Sequence, residues 1–271
     1  PVGDPPVGEH ALSAPPRVGI VGVGALGAAV ARRVADAGLP LAVFDSRAGA
    51  LEEFVDVATL TLSARELAAT SDIVGICVCD DEQVLDVVAG FDGLLDGARP
   101  GTVICVHGTM HPATCDVLAR VAARHGVDLV DAPVMVDSRV VEPTYTVAVG
   151  GSSETFEQCS AFFRAFAHDV VPTGPVGSAM TAALVHAMST AAHQALDHDA
   201  ARVAAALGLD DAVTEGLFGA GVPVGRDPQT QKDVGIARRV VGEQEPSDSL
   251  LSLAAARGAL LVNSGSPSFT S

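Results

Sequence analysis

Between Arg17 and Arg47 the chain reads RVGIVGVGALGAAVARRVADAGLPLAVFDSR. A short apolar run, Val18 to Val21, leads into the turn Gly22-Val23-Gly24-Ala25-Leu26-Gly27. A helical pattern continues to Gly38, and a second apolar run, Leu41 to Phe44, ends at Asp45-Ser46-Arg47. Strand, glycine turn, helix, strand and terminal acid in that order fit one unit, a right-handed βαβ crossover in a parallel sheet. No other stretch limits the fold as strongly.

Each part of the unit has a physical reason. Gly22 permits the tight turn out of the strand. Gly24 lacks a Cβ, so that backbone amides can approach a pyrophosphate, and Gly27 lets the helix lie close to the sheet. The first amides of the helix and its dipole then face anionic oxygens. Asp45 stands 18 residues after Gly27, where a carboxylate can accept hydrogen bonds from adenosine ribose hydroxyls. The pattern therefore implies a nicotinamide dinucleotide held by Gly22, Val23, Gly24, Ala25, Leu26, Gly27, Asp45, Ser46 and Arg47. Asp45 opposes a 2′-phosphate and Arg47 favours one; NAD is slightly favoured over NADP.

Composition narrows the partners. A length of 271 residues suits two domains, and 48% hydrophobic content supplies a sizeable core. A net charge of −17 opposes binding to nucleic acid or an anionic membrane surface. The five cysteines show no CxxC spacing, so reduced thiols in a cytoplasmic protein are expected. No His/Cys/Asp cluster has metal-ligand spacing, and no metal is expected. No basic segment followed by an apolar one opens the chain, so no signal peptide is expected. Residues 1–16, rich in Pro and Gly, read as a flexible arm.

Beyond Asp45 short strands and helices alternate. Strands are expected at Val57 to Leu62, Ile73 to Val78, Thr102 to Val106, Val127 to Val130, Thr144 to Val149, and from Val170. Helices are expected at Ala64 to Ala69, Glu82 to Ala89, Pro112 to His125, and from a Ser153 cap to about Ala167. This is α/β: a Rossmann-type doubly wound sheet spanning 17–176, with its ligand at the carboxyl ends of the strands. From Ser178 to Leu207 no Gly or Pro interrupts a helical pattern. That long inter-domain helix opens a small all-helical domain, 177–271, with further helices at Asp211 to Phe218, Thr230 to Val241 and Ser247 to Val262. So long an apolar helix with so little chain around it predicts a homodimer.

With these pieces placed, the chain resembles the β-hydroxyacid dehydrogenase superfamily, which includes 3-hydroxyisobutyrate dehydrogenases, tartronate semialdehyde reductases, 6-phosphogluconate dehydrogenases and imine reductases. The resemblance rests on the glycine turn with its FDSR strand end, Gly108-Thr109-Met110-His111-Pro112, Asp131-Ala132-Pro133-Val134, Gly174-Pro175-Val176-Gly177-Ser178 and Lys232-Asp233-Val234-Gly235. It implies that Val78 and Cys79 lie beside the cofactor, with Cys79 in place of the usual proline. It also implies that Thr109 contacts the nicotinamide ribose, and that Lys232 reaches the active site from a C-terminal helix.

The chain departs from that superfamily in three places. The catalytic lysine position falls on Ala183, and the asparagine four residues later on Ala187. The Ser-Gly-Gly loop that receives a substrate carboxylate is replaced by Met135-Val136-Asp137. Asp137 would repel a carboxylate unless Arg139 compensates. The segment between the long helix and Lys232 is also short.

Replacement proton donors are His186, three residues after Ala183, and Tyr145, the only tyrosine, with Lys232 third. His107 and His111 flank Thr109 on the cofactor side. Two functions fit these residues: an NAD(P)-dependent reductase of a small carbonyl or imine compound in specialised metabolism, or a dinucleotide-binding scaffold or sensor without turnover.

Overall fold

The computed structural model describes residues 14–78, 80–137, 144–210, 212–214, 232–237 and 239–240. The two apolar runs around the glycine turn form β1 (Val18–Val21) and β2 (Leu41–Phe44), joined by α1 (Ala25–Asp36). They pair in parallel, Val18 opposite Leu41 and Val21 opposite Phe44. A 3-10 helix, Ala48–Phe54, then leads to β3 (Thr59–Leu60). The strand expected over Val57 to Leu62 therefore shrinks to two residues. β3 is an edge strand whose pairing partner is β2, and both its side chains are exposed, so little burial rewards a longer pairing.

Beyond it lie α2 (Ala64–Thr70), β4 (Ile73–Ile76), α3 (Asp81–Ala89), α4 (Leu94–Gly97), β5 (Val103–Val106), α5 (Pro112–Ala123) and β6 (Asp128–Asp131). All four side chains of β4 and of β5 are buried, as two covered faces require. Strand β4 stops at Ile76, two residues earlier than expected, and Cys77 and Val78 turn toward the strand ends. Then follow β7 (Val134–Asp137), β8 (Thr144–Gly150), α6 (Ser153–Phe166), β9 (Asp169–Gly174) and α7 (Ser178–Ala206). Helix α6 is capped by Ser152, one residue earlier than expected, whose hydroxyl accepts the Thr155 amide at 3.1 Å.

Among the described residues the sheet has nine strands in the order β3-β2-β1-β4-β5-β6-β8-β7, with β9 on β8. Strands β6 and β7 follow one another along β8 in a single antiparallel register: Asp131 faces Gly150 and Val134 faces Val147. Met135, Val136 and Asp137 are therefore strand residues opposite Thr146, Tyr145 and Thr144, and not a loop. The family's carboxylate-receiving loop is thus replaced by an edge strand, a different backbone as well as different side chains.

One core layer packs α1 and α6 on the sheet, centred on Val30, Val34, Phe162 and Phe166. The other packs α2 to α5, with Leu67, Val88, Leu94 and Leu118 fully covered. A separate cluster joins Leu184, Met188 and Ala191 of α7 to Val234, Ile236 and Ala237 of a helical segment, 232–237. The expected helices at Asp211 to Phe218 and Thr230 to Val241 are seen over 212–214, 232–237 and 239–240; the rest of them, Ser247 to Val262 and the 1–13 part of the arm lie outside the described residues.

Candidate functional site

The carboxyl ends of β1 and β2 open onto a cleft of about 640 Å³. Gly22, Gly24, Asp45, Ser46, Arg47 and Val78 line it, all of them expected from the sequence. The three glycines of the turn are there for different reasons. Gly22 has φ +84°, and a Cβ would stand 2.7 Å from the Cys77 carbonyl oxygen. A Cβ on Gly27 would stand 1.8 Å from the Gly22 carbonyl oxygen, so this glycine is what lets α1 approach the sheet. Gly24 is different: the nearest atom to its Cβ would be Arg47 Nη2 at 3.9 Å. The fold itself leaves the space over Gly24 open. Gly24 is also the N-cap of α1, a helix with no side-chain cap and no acid in its first turn. Those amides suit an anion.

Asp45 is nearly covered, at 8% exposure. Its Oδ2 accepts the Val23 amide at 2.9 Å, which ties the glycine turn to the end of β2. Its Oδ1 accepts the Arg47 amide at 2.9 Å and Arg47 Nε at 3.1 Å. Burial alone would raise this carboxyl, but the Arg47 and Val23 hydrogen bonds outweigh it and hold it below the usual value. Ala25 is exposed and Leu26 half-buried in the first turn of α1. Cys79 lies outside the described residues.

The other end of the site is built from distant chain. Thr109, just past β5, donates its hydroxyl to Asp233 Oδ2 at 3.3 Å. Lys232 Nζ lies 3.9 Å from Asp233 Oδ1, and both side chains are largely covered. The structure thus brings Asp233 to Thr109 across 124 residues, with Lys232 beside it. Asp233, which joins them, was visible in the sequence only as a member of the Lys-Asp-Val-Gly run.

The other two proton-donor candidates have different surroundings. Ala183 is buried at 6%, whereas His186 is exposed. A three-residue step leaves about 60° between two side chains on a helix, enough here to turn the imidazole to solvent. Tyr145 is 9% exposed, with the Arg33 guanidinium of α1 stacked 4.2 Å from its ring centroid. Its observed ring partner is a structural helix, in place of the expected site contact.

His107 does not approach the cofactor side either. Its ring is buried among Phe162 and Phe166, with centroids 5.5 Å from each. Nδ1 donates to the Ala132 carbonyl at 2.8 Å, and Nε2 has no partner among the described residues. Burial pushes its pKa down to about 4, against the opposing effect of the Ala132 bond. His111 caps α5, its Nδ1 accepting the Ala113 amide at 3.2 Å.

Asp131 anchors the long helix. Its oxygens accept the Gly177 and Met180 amides at 2.8 Å each, at the N-terminus of α7. Burial raises its carboxyl, partly offset by those amides. Among the described residues no group of three or more His, Cys, Asp or Glu side chains is arranged to hold a metal ion. Among them, no helix is long and apolar enough to cross a membrane.

Residues 17–174 match the family model described as the NAD binding domain of 6-phosphogluconate dehydrogenase. An uncharacterised oxidoreductase of Mycobacterium tuberculosis is 33% identical over 196 residues, which cover 72% of this chain and 66% of that protein. The solved 3-hydroxyisobutyrate dehydrogenase of Mycobacterium tuberculosis with L-serine superposes with a TM-score of 0.76 at 23% identity, over 93% of this chain and 95% of that one. An imine reductase from Myxococcus stipitatus in complex with NADP+ gives a TM-score of 0.64 at 22% identity, over 87% and 81% of the two chains. At such identities the two structures attest the fold.

Proposed function

The chain belongs to the β-hydroxyacid dehydrogenase superfamily, and on that premise we propose that it is an NAD(P)-dependent oxidoreductase reducing a carbonyl or imine group of a small molecule in specialised metabolism. The observation that carries this reading is the glycine turn. Gly22 and Gly27 are required by contacts inside the fold, whereas the space over Gly24 faces an open cleft. A pyrophosphate fits that space and the helix amides beside it.

The residues present suit the cofactor. Gly22 to Gly27 would hold its phosphates, and Asp45 and Arg47 its adenosine half. When bound, its nicotinamide supplies hydride chemistry. Thr109 would contact the nicotinamide ribose. Both dinucleotides are accepted on this reading, because Arg47 offsets the negative charge of Asp45. Lys232 would supply the proton that an alcohol or amine product needs. Asp233 lies between Lys232 and Thr109 and orients them. An iminium substrate already carries positive charge and has less need of a strong acid, so a site with Ala183 in place of lysine loses least on imines.

We read 17–176 as the dinucleotide-binding unit and 177–271 as a helical unit that pairs two copies. Val185, Leu196 and Val203 of α7, and Leu207 just after it, remain exposed in the single chain, which supports a homodimer along this helix.

The test is oxidation of NADH and NADPH against a panel of ketones, aldehydes and cyclic imines, with the parent and Lys232→Met. We expect turnover on at least one cyclic imine and a lower kcat in the variant. The alanines at 183 and 187 also favour a second reading, a dinucleotide-binding protein without turnover. Tight dinucleotide binding with no oxidation on any substrate would support it.

A further inference from the structure

We propose that Phe91 is the platform on which the adenine ring of the dinucleotide stacks. The inference rests on the dinucleotide reading of the cleft and adds a residue to it that the glycine motif does not include.

Phe91 belongs to a tight turn, Gly90-Phe91-Asp92-Gly93, closed by the Gly93 amide donating to the Gly90 carbonyl at 3.1 Å. Asp92 has φ +57°, the sole positive φ on a non-glycine among the described residues. A positive φ at the third residue is the pattern of a type II turn, where glycine is usual and aspartate carries strain. Such strain persists only where surrounding contacts hold it. Here the Arg65 amide donates to the Asp92 carbonyl at 3.0 Å, Arg65 Nη1 lies 3.8 Å from Asp92 Oδ1, and the Gly90 amide donates to Asp86 at 2.8 Å. The turn is therefore fixed, and its second residue is presented at the corner.

That residue is a phenylalanine at 101% exposure, whereas Phe54, Phe162, Phe163 and Phe166 are buried. Phe91 also lines the same cleft as Asp45, Ser46 and Arg47. A pyrophosphate on Gly24 and a ribose on Asp45 fix the direction in which the cofactor's adenosine half extends. Ala64, Val87 and Phe91 line the same cleft from the α2 to α4 side. The group that follows the ribose in that direction is adenine, a flat ring whose π-face an exposed, pinned aromatic can cover.

The chain contains no tryptophan, so Phe91→Trp creates a single fluorescent reporter at the turn. Two measurements test the assignment. Calorimetry on the parent and Phe91→Ala should show Kd rising about 5- to 20-fold for NADH, NADPH and ADP-ribose alike, since all three carry adenine. Circular dichroism should be unchanged, because the removed ring touches solvent. In Phe91→Trp, ADP-ribose should quench the emission saturably, with the same midpoint as its calorimetric Kd. Equal Kd values in parent and Phe91→Ala, or no saturable quenching, would overturn the adenine platform while leaving the dinucleotide reading intact. A parent that binds none of the three ligands would overturn both.

Discussion

The carboxylate of Asp45 accepts the backbone amide of Val23 at 2.9 Å. The acid expected to read a ribose is thus already the clasp that holds the glycine turn onto β2. Arg47 closes over its other oxygen, which weakens the charge a 2′-phosphate would meet. Arg47→Ala should therefore weaken NADPH binding about tenfold or more, the loss of one charge-assisted hydrogen bond, and NADH binding much less. Calorimetry with both dinucleotides measures the ratio. A ratio unchanged from the parent would remove Arg47 from 2′-phosphate recognition.

His107 makes stability depend on pH. Its pKa falls from 6.5 to about 4 in the fold. Between those values the unfolded chain binds the proton and the folded chain does not, so stability rises with pH across the window. The contribution is complete above pH 6.5 and is lost as pH falls toward 4. From pH 7.5 to 5 this residue alone should cost about 2 kcal/mol. His107→Phe, set among the phenylalanines of α6, should lose that part of the slope. Urea melts of both proteins at the two pH values decide it; identical slopes would mean that protonation finds a partner inside the fold.

Simple 3-hydroxy acids such as 3-hydroxyisobutyrate should be poor substrates for oxidation. Ala183 has no proton to move, and loss of one positioned acid or base costs about 10²–10⁴-fold. Met135, Val136 and Asp137 lie in strand β7, paired with β8, in place of the loop that would receive a substrate carboxylate. His186→Ala should leave kcat unaltered on any imine that is turned over, because within the single chain the imidazole is exposed, whereas Lys232→Met should lower it. Steady-state kinetics on the two variants separates the candidates, and the opposite order would move the proton donor to α7.

Sequence legibility followed the range of the forces involved. The βαβ unit was readable because its signal is local: periodicity, three glycines and an acid within about thirty residues. Helix α7 ends one residue from its expected limit for the same reason. β7 was not readable, since Met135-Val136-Asp137 becomes a strand only through pairing with Thr144, Tyr145 and Thr146 of β8. By spacing alone His107 flanks Thr109 on the cofactor side. The rings that bury it, Phe162 and Phe166, lie more than fifty residues away. The Asp233 link between Thr109 and Lys232, and the turn that displays Phe91, likewise arise from contacts that no local spacing encodes.

Gly24 carries the central claim. Its φ of −69° is open to any L-residue, and a side chain there would come closest to Arg47 Nη2 at 3.9 Å. Gly24→Val should consequently fold with the parent's thermal midpoint, yet place a branched side chain where the pyrophosphate must lie. Calorimetric titration of that variant with NADH and NADPH is the most direct measurement. The account predicts that affinity for both falls by at least about a hundredfold, roughly 2.7 kcal/mol. Equal affinity in the folded variant and the parent would contradict it.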